Sequence, residues 1–236
     1  MDTTLKVKGI KKRFPGINAL DWDENDEITF KSGTIYALLG ENGAGKSTLS
    51  KIIAGIYQRD GGSIVLNDKV FNPTTSKESR DFGVGIVMQE DGLVGSIKVS
   101  ENLLICSEKE FSSAGLYSLK KQKNLANEIM KDVCPWIDPD IIVSELSLED
   151  QKMVELARAV RTWPKVFLVD EASAALSKGN AEILFKYVKD AKDNGSIVIM
   201  VTHRMEEVFE YCDSAVILKD GKLVGEYDVS ELDMIQ

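Results

Sequence analysis

Gly40-Glu41-Asn42-Gly43-Ala44-Gly45-Lys46-Ser47-Thr48 is the stretch from which the rest of the chain is read. It fits G-x-x-x-x-G-K-[ST], a phosphate-binding P-loop. The run before it, Thr34-Ile35-Tyr36-Ala37-Leu38-Leu39, is short and apolar and predicts a buried strand. Behind it, Leu49, Ile52, Ile53 and Ile56 recur at i, i+3, i+4 and i+7 and predict an amphipathic helix. Strand, glycine-rich turn and helix are the context the motif requires. Its glycines let backbone N–H groups curl around an anion, and the helix start adds free donors and a positive dipole end. Gly40, Asn42, Gly43, Ala44, Gly45, Lys46, Ser47 and Thr48 are therefore the candidate nucleotide-binding residues. Lys46 would reach the β- and γ-phosphates, and the Ser47 hydroxyl would bind Mg²⁺.

Outward from this centre, Leu5–Ile10 alternates apolar and polar and predicts a strand, with Lys11–Gly16 as a basic turn. Ile28–Phe30, Ser63–Asp68 and Gly83–Met88 predict further strands. From 90 to 162 helical periodicity takes over, as in Ala126/Ile129/Met130/Val133 and Met153/Leu156/Ala157/Val160. Loops are expected there at Phe111–Gly115 and Pro135–Pro139. Buried strands then return at Lys165–Val169 and Ser196–Val201, each followed by a helical pattern, and the Asp220-Gly221 turn predicts a hairpin. Alternating strands and helices imply an α/β fold with a mainly parallel sheet covered on both faces.

Composition narrows the class. The 236 residues carry a net charge of −9, the wrong sign for a nucleic-acid binder. Cys106, Cys134 and Cys212 match no metal spacing and read as buried, reduced thiols. No stretch approaches the ~20 apolar residues that span a bilayer, and the first residues contain no apolar signal core. Any membrane role is therefore expected through docking onto another chain.

Four features beyond the P-loop carry chemistry. Val166-Phe167-Leu168-Val169-Asp170-Glu171 is an apolar strand ending in two carboxylates, which places them where ligands sit in open α/β sheets. Asp170 would hold Mg²⁺, directly or through water, and Glu171 would polarise the attacking water. Gln89 ends another apolar run. His203, the single histidine, follows the strand ending at Val201, within reach of a γ-phosphate. Each of these two alone is better read as an ordinary strand end or helix start. Leu146-Ser147-Leu148-Glu149-Asp150-Gln151 opens a helix, and alone is an N-cap followed by acidic residues.

In this order, across essentially the whole chain, these features resemble the nucleotide-binding domain of ABC transporters. The resemblance implies a P-loop NTPase core of ABC type with an N-terminal antiparallel β part. It divides the single domain of residues 1–236 into a core (1–89 and 163–236) and an inserted helical subdomain (90–162). It makes Gln89 the Q-loop residue near the metal, Asp170-Glu171 the Walker B pair, His203 the H-loop and Phe14 the aromatic that stacks on adenine. Ser147 belongs to the family's LSGGQ signature, which completes a second domain's nucleotide site. The cofactors implied are ATP and Mg²⁺. Phe14–Leu20, Leu39–Thr48, Gln151–Glu155 and His203–Phe209 look like monosaccharide-importer ATPases of the ribose/galactose type. The implied partners are a membrane permease touching the region of Gln89–Leu104, a second ATPase domain in the same polypeptide and, indirectly, a solute-binding protein. The implied place is the cytoplasmic side of the cell membrane. A soluble ABC-type ATPase acting on ribosomes or DNA is the competing reading, and the charge disfavours it.

The chain departs from the family pattern twice. Leu148 and Glu149 stand where the signature has glycines, and Ala172 replaces the usual proline after Glu171. A carboxylate at 149 is expected to repel a facing γ-phosphate unless it turns away to solvent. Asp228–Gln236 reads as a helix cut short, so the chain is expected to be half of something longer.

Overall fold

The computed structural model describes residues 3–89, 92–105, 107, 111–113 and 116–232. Its first sheet is antiparallel and local in sequence. The long strand β1 (Thr4–Phe14) pairs along one edge with β3 (Glu27–Lys31) and then β2 (Ile17–Asp21), and along the other with β5 (Gly61–Leu66), which pairs with the two-residue β6 (Lys69–Val70). Lys11–Phe14 is thus strand, and the turn is confined to Pro15-Gly16. Lys11, Lys12 and Phe14 are half-buried beside β2 and Arg13 is exposed, so no apolar–polar alternation marks this part of the strand.

The second sheet contains β4 (Thr34–Leu39), β7 (Val84–Val87), β10 (Val166–Asp170), β11 (Ile197–Val201), β12 (Ser214–Lys219) and β13 (Lys222–Asp228), in the order β13-β12-β4-β11-β10-β7. All its pairings are parallel except the terminal hairpin. Asp220 and Gly221, both at positive φ, form the hairpin turn, as an Asp-Gly pair favours. Successive strand residues face two separate cores. Phe167 and Val169 pack with the helical region, while Val166 and Leu168 pack with the helix after the P-loop and the antiparallel sheet. This period of two explains why β4, β10 and β11 read as continuous apolar runs: both faces are covered.

The helices are α1 (Lys46–Ile53), α2 (Ser76–Phe82), α3 (Val99–Leu103), α4 (Leu119–Met130), α5 (Leu148–Val160), α6 (Lys178–Asp193), α7 (Met205–Tyr211) and α8 (Val229–Leu232). Ile56 lies beyond α1 and is exposed. A short ribbon, β8 (Ser112–Ser113) with β9 (Leu116–Tyr117), occupies part of the expected loop near 111–115. Cys134 and Cys212 are free and buried, and burial pushes each thiol up to about 12; Cys106, and residues 233–236 of the expected final helix, lie outside the described residues. No described helix is long and apolar enough to cross a membrane.

Candidate functional site

Sheet register assembles the site. Leu38 pairs with Val201, Val201 with Asp170, and Val169 with Val87. The strands therefore end in one row, and the residues just past those ends are Gly40, His203, Glu171 and Gln89. This is the crevice at the carboxyl ends of a parallel sheet. A cleft of about 580 Å³ there is lined by Phe14, Asn42, Gly43, Gly45, Lys46, Ser47, Thr48, Gln89, Glu171 and His203, together with Ile17 and Ala19.

The P-loop is shaped for close approach. Gly45 (φ 98°) is the N-cap of α1 and supplies no side-chain cap, so the helix start is open to an anion. A Cβ on Gly45 would come within 2.5 Å of the Ala19 carbonyl, and one on Gly40 within 2.2 Å of the Leu218 carbonyl. The Lys46 ammonium donates to the carbonyls of Gly40 (2.8 Å) and Glu41 (3.0 Å). Burial lowers its pKa, against the opposing pull of Glu171 and Asp170. Gly40 and buried Ala44 shape the loop without lining the cleft.

Asp170 is fully buried, and its Oδ1 accepts from the Ser47 hydroxyl at 3.0 Å. Its Oδ2 is buried with no partner among the described residues. Desolvation raises its pKa, with the Ser47 hydrogen bond opposing. An orphaned carboxylate oxygen beside a hydroxyl is a donor set that suits a hard cation such as Mg²⁺.

Glu171 adopts the left-handed region (φ 50°, ψ 25°), uncommon for a side-chain-bearing residue. Its N–H donates to the Val201 carbonyl at 2.9 Å, and its carboxylate is held from two sides. Gln89 Nε2 donates to Oε2 at 2.6 Å, and His203 Nε2 lies 2.7 Å from Oε1. Gln89 and His203, weak signals singly, thus meet on the same carboxylate. Phe14 is half-buried at the cleft edge, with Tyr57 edge-on at 5.2 Å.

A family model described as ABC transporter matches residues 24–174. The chain belongs to the ABC transporter family. This ABC protein is 38% identical over 234 residues to the ribose import ATP-binding protein RbsA of Caldanaerobacter subterraneus subsp. tengcongensis, covering 98% of this chain and 46% of that protein. It is 35% identical over 227 residues to the RbsA of Clostridium tetani, covering 96% and 44%. The chain thus spans less than half the length of these relatives. Among solved structures, an ATP-binding cassette of an ABC transporter in its ADP conformation superposes with a TM-score of 0.75 at 26% identity, covering 99% of this chain and 94% of that one. The ABC cassette architecture, with its antiparallel and mainly parallel sheets and its helices, is as the sequence predicts.

Ser147 does not line the cleft. It caps α5, accepting from the Asp150 N–H at 3.1 Å. Glu149 turns toward α6: its Oε1 accepts from the Ser177 N–H and from Asn180 Nδ2, both at 2.7 Å. Its carboxylate is therefore engaged by the start of α6 rather than turned out to solvent. Ser177, through hydroxyl and N–H, and then Asn180 hold this carboxyl below its ordinary range.

Sequence reasoning missed two buried carboxylates near the site. Glu207 accepts from Thr202 Oγ1 (2.6 Å) and Ser173 Oγ (2.8 Å), tying the segment around His203 to that after Glu171. Glu155 accepts from backbone N–H groups on either side of Gln89. The available signal was a charged residue beside the apolar stripe of a helix, as at Glu155 next to Leu156 and Met153.

Proposed function

We propose that this chain binds and hydrolyses ATP as one ATPase domain of an ABC importer for a sugar, in the class of its ribose-import relatives. The observation that carries the reading is the convergence of Lys46, Ser47, Gln89, Glu171 and His203 on one cleft, with an Asp170 oxygen beside Ser47 that has no partner among the described residues. Phe14 would stack on the adenine. Gly40 to Ser47 would wrap the phosphates, Thr48 would support them from the first turn, and Lys46 would leave the loop carbonyls for the β- and γ-oxygens. Ser47 and Asp170 would hold Mg²⁺ with Gln89 alongside; when bound, the metal neutralises phosphate charge. Glu171 would accept the proton of the attacking water, and Gln89 and His203 would orient its carboxylate for that task.

The same reading assigns 1–89 and 163–236 to the core and 90–162 to the helical subdomain. The relatives' greater length supports a second ATPase domain in the same polypeptide, with Ser147 contributing to that domain's nucleotide. A membrane permease would dock near Gln89–Leu104 on the cytoplasmic side, and a solute-binding protein would deliver the sugar to it. A groove of about 510 Å³ between core and helical region, with Ile56, Val84 and Ile105 in its wall and Arg80 and Arg158 beside them, supports that docking.

The test separates binding from turnover in the full polypeptide. Lys46→Ala is expected to lose ATP turnover. Glu171→Gln is expected to keep ATP affinity while its kcat falls by about 10²–10⁴-fold, because an amide cannot take a proton. Joint loss of affinity and turnover in Glu171→Gln would make Glu171 a binding or folding residue instead.

A further inference from the structure

Helix α5 grips the segment that carries Gln89. Glu155 is 2% exposed, and its carboxylate accepts from the N–H of Met88 (3.2 Å) and the N–H of Gly92 (2.6 Å). Lys152, one turn earlier, donates to the Met88 carbonyl at 2.7 Å and lies 3.3 Å from Glu155 Oε2. Arg158, three residues later, donates to the Gly92 carbonyl at 2.8 Å. A single helix face thus holds donor and acceptor groups on both flanks of Gln89. A Cβ on Gly92 would stand 2.4 Å from Glu155 Oε1, so glycine is what lets the segment come this close.

Burying a carboxylate is unfavourable unless it is paired and hydrogen-bonded, and an apolar residue would fill the same space without that penalty. What a carboxylate adds is direction: it accepts two N–H groups from different points of one loop and fixes their separation. The element so fixed ends in the Gln89 side chain, whose amide meets Glu171 at 2.6 Å.

We propose that Glu155 is a positioning residue for ATP hydrolysis: by clamping the Met88 and Gly92 peptides it sets Gln89 against Glu171. The proposal rests on the reading of Glu171 as the base. Glu155 touches neither the nucleotide cleft nor Glu171, so its influence runs through Gln89. Loss of the clamp leaves the P-loop intact and lets the Gln89 amide drift, and small misplacements of this kind slow chemistry more than they weaken binding.

The experiment measures kcat, KM for ATP and melting temperature in the full polypeptide for Glu155→Gln and Gly92→Ala, each alone and combined with Gln89→Ala. Gln at 155 keeps the shape but replaces one acceptor with a donor; Ala at 92 pushes the clamp open from the loop side. Each single variant is expected to lower kcat roughly tenfold with KM within about twofold. In the Gln89→Ala background neither should change kcat by more than about twofold, because the route is already cut. Wild-type kcat in both variants overturns the proposal, and so does an equal fall in both backgrounds, which marks general damage. If Glu155→Gln does not fold, Gly92→Ala and its combination decide by the same criteria. A wild type that never hydrolyses ATP brings down the ATPase reading and this proposal with it, whereas an active wild type with indifferent variants brings down the clamp alone.

Discussion

The Glu149 carboxylate, facing the Ser177 N–H and Asn180 rather than open solvent, joins the first turn of α5 to the start of α6. Its chemistry is that of a cap: an ionised acceptor on N–H groups at a helix start. Its folded-state pKa is held below the ordinary 4.5, so its stabilising contribution is complete above that value and is lost as pH falls through the lower folded value. Glu149→Gln is therefore expected to melt below wild type at neutral pH, with the gap closing in acid; thermal scans across pH check this. A gap independent of pH would mean that ionisation of Glu149 contributes nothing. Glu149→Gly removes both hydrogen bonds, so no gain in ATP-driven association is expected from it. At this scale the sequence was readable for identity and not for direction. Position 149 stood out against the family pattern, but Ser177 and Asn180 lie far along the chain, and only the fold shows where the carboxylate points.

Among the elements, β7 and α5 meet at Gly85. A Cβ there would lie 2.6 Å from the Ala159 carbonyl and 3.2 Å from the Pro164 ring. The nearest atom is backbone and cannot rotate away, so Gly85→Ala should force α5 off the sheet edge and destabilise the protein by about 1–3 kcal/mol. Denaturant titration checks the figure, and an unchanged midpoint would mean the helix shifts freely. The segment carrying Gln89 follows β7, so the same variant should also slow turnover. Elements buried on both faces were the legible ones: β4 is bounded as the apolar run predicts, and β10 and β11 nearly so. Helix α2, SKESRDF, was not legible, because only Ser79 of its seven residues is buried and no apolar stripe marks it. The site was legible as a set because its motifs sit just past strand ends, and parallel register aligns those ends. Glu155 and Glu207 were not, because the groups that complete their burial, Met88 and Gly92 for the one and Ser173 for the other, are remote in the sequence.

For the whole molecule, the cleft joins β1, β4, β7, β10 and β11, so ligand binding should tighten the entire core. ATP with Mg²⁺ at about 100 times its Kd is expected to raise the melting temperature by roughly 5–10 °C, from about 2.7 kcal/mol of linkage. Chelating the metal should remove part of that gain, and Asp170→Asn should make the gain independent of metal. Equal shifts with and without chelator in the unmodified protein would place the metal elsewhere. The strand order has a further consequence, in time rather than space. β4 lies between β11 and β12, both encoded far downstream, whereas the antiparallel sheet closes with β6. At roughly 5–20 residues per second, a ribosome delivers β11 about 8–30 s after β4. Through that interval the P-loop strand has two open edges and no neighbour in its sheet, while the antiparallel sheet is completed early in it, once β5 and β6 have followed. The nascent chain must therefore shelter Tyr36 and Leu38 against that first sheet, as it does in the finished core. Chains released before β11 would expose a bare strand to one another, so aggregation risk falls only when the row of strand ends that carries the cleft is assembled.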